Sequence, residues 1–419
     1  MTDTNNHPLS RGALPGLAAR YAAERRFERY GKIAVIFSLA FLTFLIGAIA
    51  IKGAGAFVKT EIRLEVTKEL VTTYAGDDFT LLRKVILHNF SDAQGRLGRK
   101  EAYNMIAVGA EEALAEALID VALEISEMPA TFDLWLPASD DVDMANKAEL
   151  TQETLARGSP QAAQWLQKLS DDGRLKKTFN TGFLVNGDSR DPERAGIGGA
   201  FIGSLFTLFV CLTLSFTIGI FAAIYLEEFA PKNKLTTFLE VNINNLATVP
   251  SIIFGLLGLA VFLNYFGLPR SSSLAGGMVL SLMTLPTIII ASRVSLQAVP
   301  PSIKEAALAI GTSKIQAVFH HMLPLAMPGM LTGTILGMAR ALGETAPLMM
   351  IGMVAFIADA PGNFTDPATA LPVQVYLWAD SPERAFAEKT AGAILVLIFF
   401  LVLMNLTAII LRKKLEKKW

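Results

Sequence analysis

Six stretches of this chain are apolar over about the thickness of a lipid bilayer, and that fact constrains its fold more than any other. Residues of about 33–51, 200–226, 246–266, 327–357 and 390–411 each supply the roughly 20 apolar residues that a spanning helix needs. A sixth stretch, 272–292, is interrupted by Pro286 but otherwise holds only apolar and small residues. Hydrocarbon offers no water to stray backbone N–H and C=O groups, so such segments have to be helices. A hydrophobic content of 52% with only 18% charged residues, a mean hydropathy of +0.43 and 26 Phe fit a chain whose main solvent is membrane lipid. The expected class is an all-α polytopic membrane protein.

Lysine and arginine in short flanking segments set the orientation. Arg11, Arg20, Arg25, Arg26, Arg29 and Lys32 precede the first span, and Arg412, Lys413, Lys414, Lys417 and Lys418 follow the last. Both basic ends, 1–32 and 412–419, are therefore expected in the cytoplasm, as six spans require. Ala48-Ile49-Ala50 has the look of a cleavage site, but the apolar run before it is long and follows about 30 residues of tail, so 33–51 reads as an uncleaved anchor.

Residues 53–196 form one large polar insertion, expected outside the cytoplasm. It carries 24 acidic residues against 16 Lys and Arg, an acidic excess of eight. A continuous amphipathic helix is expected over 101–126, with Leu114, Leu118, Val121 and Ile125 as its apolar stripe. Residues 176–187 read as a strand or hairpin, so the insertion is mainly helical with an α+β fold open. The glycines at 53–55 and 196–199 read as flexible joints. Cys211, the single cysteine, lies in an apolar run, so no disulfide framework is available.

Between the fourth and fifth spans lies a polar hairpin, 300–325. Pro300 and Pro301 keep the chain non-helical, Ser302 and Glu305 have capping-box spacing, and Gly311 offers a left-handed stop. Thr312 or Ser313 can cap a second helix, which Pro324 is expected to end. With both termini in the cytoplasm this hairpin is cytoplasmic as well. The pattern Glu305-Ala306-Ala307, then Gly311, then Leu323-Pro324, resembles the EAA loop of permease subunits of ABC importers. His321 departs from it, standing where those proteins usually carry an aliphatic residue.

In the fifth span, Arg340 and Glu344 are four residues apart and hence on one helical face. An arginine at that depth costs about 2.5–3.5 kcal/mol on insertion scales, so it faces either a partner or a water-lined path. Gly329, Gly333 and Gly337 precede it at four-residue spacing, a register that lets helices approach closely, and Gly343 and Pro347 are expected to bend the helix beyond the charge pair.

Ala339-Arg340-Ala341-Leu342-Gly343-Glu344-Thr345-Ala346-Pro347 resembles a signature of the phosphate permease subunits of ABC importers, and the resemblance extends over 197–411, with the first span completing the usual six. It implies a MetI-like type I importer fold of six helices and transport of inorganic phosphate across a bacterial inner membrane. Residues 53–196, the insertion, lie on the periplasmic side in this reading. The implied coupling residues are Glu305, Ala306, Ala307, Gly311, Leu323 and Pro324, and the implied path or gate is Arg340, Glu344 and Thr345. The implied partners are a homologous second permease subunit (PstC-like), a dimer of ATPase subunits (PstB-like) and a periplasmic phosphate-binding protein (PstS-like).

No GxxxxGK[ST] loop occurs, so no cofactor is expected on this chain and ATP is used by a partner. Four His and one Cys lack ligand spacing, so no metal is expected, and a net charge of −1 gives no case for nucleic acid. Permeation of another oxyanion, such as sulfate, molybdate or phosphonate, and a membrane-anchored ligand sensor built on the insertion are the alternative readings.

Overall fold

The structure, a computed structural model, describes residues 17–121, 129–148, 150 and 159–415. It divides into residues 1–52 and residues 53–419. The described part of the first unit belongs to one helix, Leu17–Gly53, whose last residue opens the second unit and whose 37 residues make it about 55 Å long, well beyond a bilayer core of about 30 Å. Its lower turns are polar and exposed, with Lys32 paired to Glu28 at 2.7 Å.

Within the second unit, the insertion is an α+β domain built on a three-stranded antiparallel sheet in the order β2-β1-β3. The strands are β1, Val58–Thr67, β2, Thr131–Pro137, and β3, Leu175–Phe179. Alternation along β1 sends Ile62, Leu64 and Val66 to one face, where they are fully buried against helices Asp78–Asn89 and Ala110–Val121. β2 runs against β1 from the Glu61–Pro137 pair to the Thr67–Thr131 pair, and β3 takes the other edge from Val58–Phe179 to Ile62–Leu175.

The helix expected over 101–126 is two. Gly95–Tyr103 stops, Gly109 turns the chain with φ of +82°, and a new helix starts at Ala110. Leu114 is buried as expected, whereas Ile125 lies outside the described residues.

The ends of the insertion are not flexible joints. A Cβ on Gly53 would sit 2.7 Å from the Ala391 carbonyl carbon, and one on Gly392 would sit 2.6 Å from the Ala56 methyl. Gly196 and Gly198 press on backbone at Asn186 and Val185. Glycine stands at these positions because two backbones touch. Phe183, fully buried, packs edge-on to Phe57 at 5.3 Å and against Trp378. Lys147 Nζ donates to the Gly55 carbonyl at 2.8 Å and pairs with Asp143 at 2.6 Å and Glu388 at 2.7 Å. Lys389, buried in the last apolar helix, donates to the Ala195 carbonyl at 2.8 Å. The domain is rooted in the helix Arg384–Leu415 rather than tethered beside it.

Among the described residues five helices are long and apolar enough to cross a membrane, Arg20–Phe57, Gly198–Phe229, Ser273–Gln297, Lys314–Gly343 and Arg384–Lys414. The bent pair Lys234–Leu246 and Ser251–Tyr265, whose axes differ by 104°, makes a sixth when its two pieces are counted as one span. The run expected at 246–266 thus begins at Ser251, because the preceding helix stops at Leu246 and Pro250 is the N-cap of the next.

The run expected at 327–357 also differs from a single span. Its helix stops at Gly343, Glu344 is extended (φ −82°, ψ 117°), and Ala346–Met350 starts again with Pro347 in its first turn. A continuous helix would drive the Pro347 ring into the Gly343 carbonyl, so the chain breaks rather than bends. A separate short helix, Leu371–Ala379, precedes the final span.

Small residues let the helix Ser273–Gln297 be gripped from two sides. A Cβ on Gly277 would lie 2.5 Å from Val210 and 2.7 Å from the Thr207 carbonyl, and one on Gly219 would lie 2.8 Å from Ile288. On the other side, Cβ atoms on Gly329 and Gly333 would run into Ser295 and Ala291, while Gly337 has ordinary contact with Ile288.

Two predictions follow from this packing and from the insertion's charges. Gly277→Val should cost ~1–3 kcal/mol through overpacking, read as a lowered Tm of the detergent-solubilised chain, whereas Gly343→Ala, with nothing within 4 Å of the new methyl, should leave Tm within a degree or so. The second concerns Asp140, which lies at the root of the insertion and receives no full compensation. Burial, then the neighbouring Glu193 carboxylate, push its pKa from 3.8 up to about 7; Asp143 and Asp141 add to this and Lys389 opposes it. Between those values the unfolded chain has released a proton that the native state still holds, so this group's contribution to stability declines as pH rises to about 7 and is flat above. Asp140→Asn should therefore raise Tm at about pH 8 and change it little near pH 4. An equal effect at both would contradict the assignment.

Candidate functional site

The polar hairpin is built as two helices turned by a glycine. Pro301 occupies the first turn of Pro301–Ala309 and Pro300 is its N-cap, so the helix starts ahead of Ser302 and the capping box expected at Ser302 and Glu305 does not form. Gly311 turns the chain with φ of +89°, which a residue with a Cβ rarely adopts. Thr312 closes the turn by donating its hydroxyl to the Ala307 carbonyl at 2.7 Å. Ser313 then caps Lys314–Gln316 in a full capping box with Gln316.

Pro324 does not end this second helix. The chain continues to Gly343 by widening to π-helical turns over Ala317–Met322, just before Leu323 and Pro324. A wider turn is one way to absorb the amide hydrogen that a proline lacks.

Glu305 and Ala306 are exposed, Ala307 is buried, and Leu323 and Pro324 are half-buried where the hairpin enters the core. Leu308, Ile310 and Ile315 also face outward, giving the turn an apolar tip. Underneath, Ile303, Val318 and Met322 pack on Ile220, Ile224, Leu296 and Val299.

Several charged residues beneath the hairpin were not singled out from the sequence. Lys304 pairs with Glu228, which is buried in a π-helical turn, Tyr225–Phe229, at the end of the second span. Arg293 reaches both Glu227 at 3.4 Å and Glu240 at 2.8 Å, and Gln297 donates to Glu227 at 2.9 Å. Lys314 lies 4.9 Å from the centre of the Phe229 ring. The adjacent acids at the end of a long apolar run were the available sequence signal.

The second constellation lies along the same long helix. Arg412, at the basic end of the last span, donates to Thr332 at 3.1 Å, which marks the level of that end on the helix. Arg340 stands eight residues further, about 12 Å deeper into the apolar layer. Its Nε lies 3.4 Å from Glu344, with side chains 47% and 19% exposed on the single chain. The pair spans the helix end itself, since Glu344 follows the last helical residue, Gly343, and Thr345 begins the next short helix. The geometry places a planar cation on an open face beside a broken helix. Gly343 has open space around it, and Pro347 is buried under Gly255.

Two families match parts of the chain. Residues 215–419 match the family described as binding-protein-dependent transport system inner membrane component, and residues 15–156 match a domain of unknown function, DUF3333. The chain is 32% identical over 249 residues to the phosphate transport system permease protein PstA 2 of Mycobacterium bovis, covering 59% of this chain and 80% of that protein. It is 31% identical over 225 residues to PstA 1 of Mycobacterium tuberculosis, covering 53% of this chain and 72% of that protein. A chain of the MetNI methionine ABC transporter, solved in inward-facing conformations, superposes with a TM-score of 0.43 at 18% identity over 53% of this chain and 96% of that one. With identity above 30% sustained over most of the length of the phosphate permeases, the chain belongs to the PstA family of membrane-embedded ABC importer permeases, carrying a DUF3333 domain ahead of its transport core.

Proposed function

We propose that this chain is the permease subunit of an ATP-driven importer that carries inorganic phosphate across a bacterial inner membrane. The observation that carries this reading is the identity of 31–32% across 72–80% of two phosphate permeases. The chain works with partners: ATPase subunits that supply the energy, a second permease subunit that completes the path, and an extracytoplasmic phosphate-binding protein. The exposed tip of the hairpin, with Glu305, Ala306, Gly311 and the apolar Leu308, Ile310 and Ile315, is the surface offered to the ATPase. The basic ends of the first and last spans favour a cytoplasmic side for both termini and this tip, and an extracytoplasmic side for the insertion 53–196. That domain contacts the binding protein or the second permease subunit, its acidic excess making it a poor trap for free phosphate.

Arg340 serves the path. Phosphate carries one to two negative charges, and a guanidinium offers it a planar fork of donors that survives desolvation better than an ammonium. Glu344 keeps the fork oriented and partly neutralised when no anion is present. The break at Gly343 frees the backbone on either side of the pair to shift as the path opens, without unwinding the packed ladder of Gly329, Gly333 and Gly337.

These roles give a test in the complete reconstituted complex. Arg340→Gln should abolish ATP-dependent phosphate uptake, at least 100-fold below the parent, while assembly with the ATPase is kept. Arg340→Lys should recover only part of it. Restoration of both assembly and uptake in the double variant Arg340→Gln with Glu344→Gln would make the pair purely structural and remove it from the path.

A further inference from the structure

We infer that Lys304 and Glu228, backed by Arg293 with Glu227 and Glu240, form an ionic clasp that makes the second and fourth spans follow the hairpin when it moves. The inference rests on the reading of the hairpin as the ATPase-facing element, and it assigns the residues through which displacement reaches the core.

Two kinds of contact hold the hairpin to the membrane helices. One is apolar, Ile303, Val318 and Met322 on Ile220, Ile224, Leu296 and Val299. Such contacts are non-directional, so a helix can roll or slide over them with small loss. The other is the clasp, whose geometry is fixed. The Glu228 carboxylate is 6% exposed and depends on Lys304 for its counter-charge, so separating them would leave a buried charge unpaired. Where the apolar contact lets the hairpin pivot, the ion pair forbids it.

The location of the clasp serves transmission. Lys304 lies in the first hairpin helix and Lys314 in the second, and they meet the neighbouring residues Glu228 and Phe229. Both arms of the hairpin thus bear on one point at the end of the second span. That point is a π-helical turn, a form that occurs in short pieces, often at functional positions. Glu227, one residue back, accepts from Arg293 and Gln297 of the helix Ser273–Gln297, and Arg293 reaches on to Glu240 in Lys234–Leu246. The second and fourth spans and the helix Lys234–Leu246 are tied to the hairpin at this node.

Two readouts test the clasp in the complex with its ATPase, second permease subunit and binding protein. The first is phosphate moved per ATP hydrolysed. Glu228→Gln and Lys304→Met should keep assembly and ATP hydrolysis but lower this ratio at least tenfold. Lys304→Arg and the exchange Lys304→Glu with Glu228→Lys should restore a substantial part of it. The second readout is independent of the transported anion: the distance between spin labels on Ser302, at the start of the hairpin and outside its ATPase-facing tip, and Phe221 on the second span, both exposed. In the parent this distance should stay constant between nucleotide-free and ATP-bound complexes, and in Lys304→Met it should change or broaden on ATP binding. An unchanged transport ratio in the single variants, or a label distance that is the same in parent and variant, would overturn the clasp. A parent complex that moves no phosphate but shows the label behaviour would overturn the substrate reading and leave the clasp standing.

Discussion

The contact on which the rest of this structure depends is the close approach of helix backbones to the helix Ser273–Gln297. In lipid, apolar side chains gain nothing from leaving one hydrocarbon environment for another, so helices associate through van der Waals packing and the backbone contacts that small residues permit. Gly219 and Gly277 bring the second span close enough that no Cβ fits between, and Gly329 and Gly333 do the same for the long helix that follows the hairpin. With both neighbours locked to the fourth span, the two elements of functional interest fall at opposite ends of one assembly. The hairpin enters the long helix at Leu323, and Arg340 stands near its far end.

The same long helix carries proline with opposite results at its two ends, since Pro324 and Pro328 lie inside it and Pro347 follows its break. At Pro324 the helix survives, because the chain has loosened into π-helical turns before it and the surrounding residues Val318, Met322 and Ala326 are buried. At Pro347 nothing compensates for the missing amide, and the helix ends at Gly343. Continuity at the first site allows displacement of the hairpin to travel up the helix. Interruption at the second places a charge pair where the backbone is free to rearrange. The hairpin and the charge pair are thus joined by one uninterrupted helix.

The spans were legible from composition because the bilayer demands about 20 apolar residues whatever lies on the other side, and the turn at Gly311 was legible because a left-handed residue between two short amphipathic pieces has few alternatives. What the sequence hid was decided by tertiary contact. Pro324 reads as a stop until the π-helical turns are seen, and 327–357 reads as one span until Pro347 is placed against the Gly343 carbonyl. The alternation of Ile62, Leu64 and Val66 carried a strand signal that the flanking glycines and helix-like stretches obscured. Glycines at 53–55 and 196–198 have the composition of a linker, yet their partners, Ala391, Glu388, Asn186 and Val185, are far away or unreadable in sequence. The Lys304–Glu228 pair joins residues 76 apart, and no local pattern announces it.

Lys147, Lys389 and Phe183 root the insertion in the last span, so its position is fixed to a membrane helix. Import of phosphate remains the claim on which these parts converge, with the binding protein engaging one side and the ATPase the other. The most direct measurement is ATP-dependent accumulation of radiolabelled phosphate in proteoliposomes holding this chain with its partner subunits, with sulfate or molybdate in large excess. The account predicts accumulation that requires ATP and the loaded binding protein and is insensitive to both competitors. Accumulation that is absent with phosphate, or that sulfate or molybdate abolishes, would contradict it.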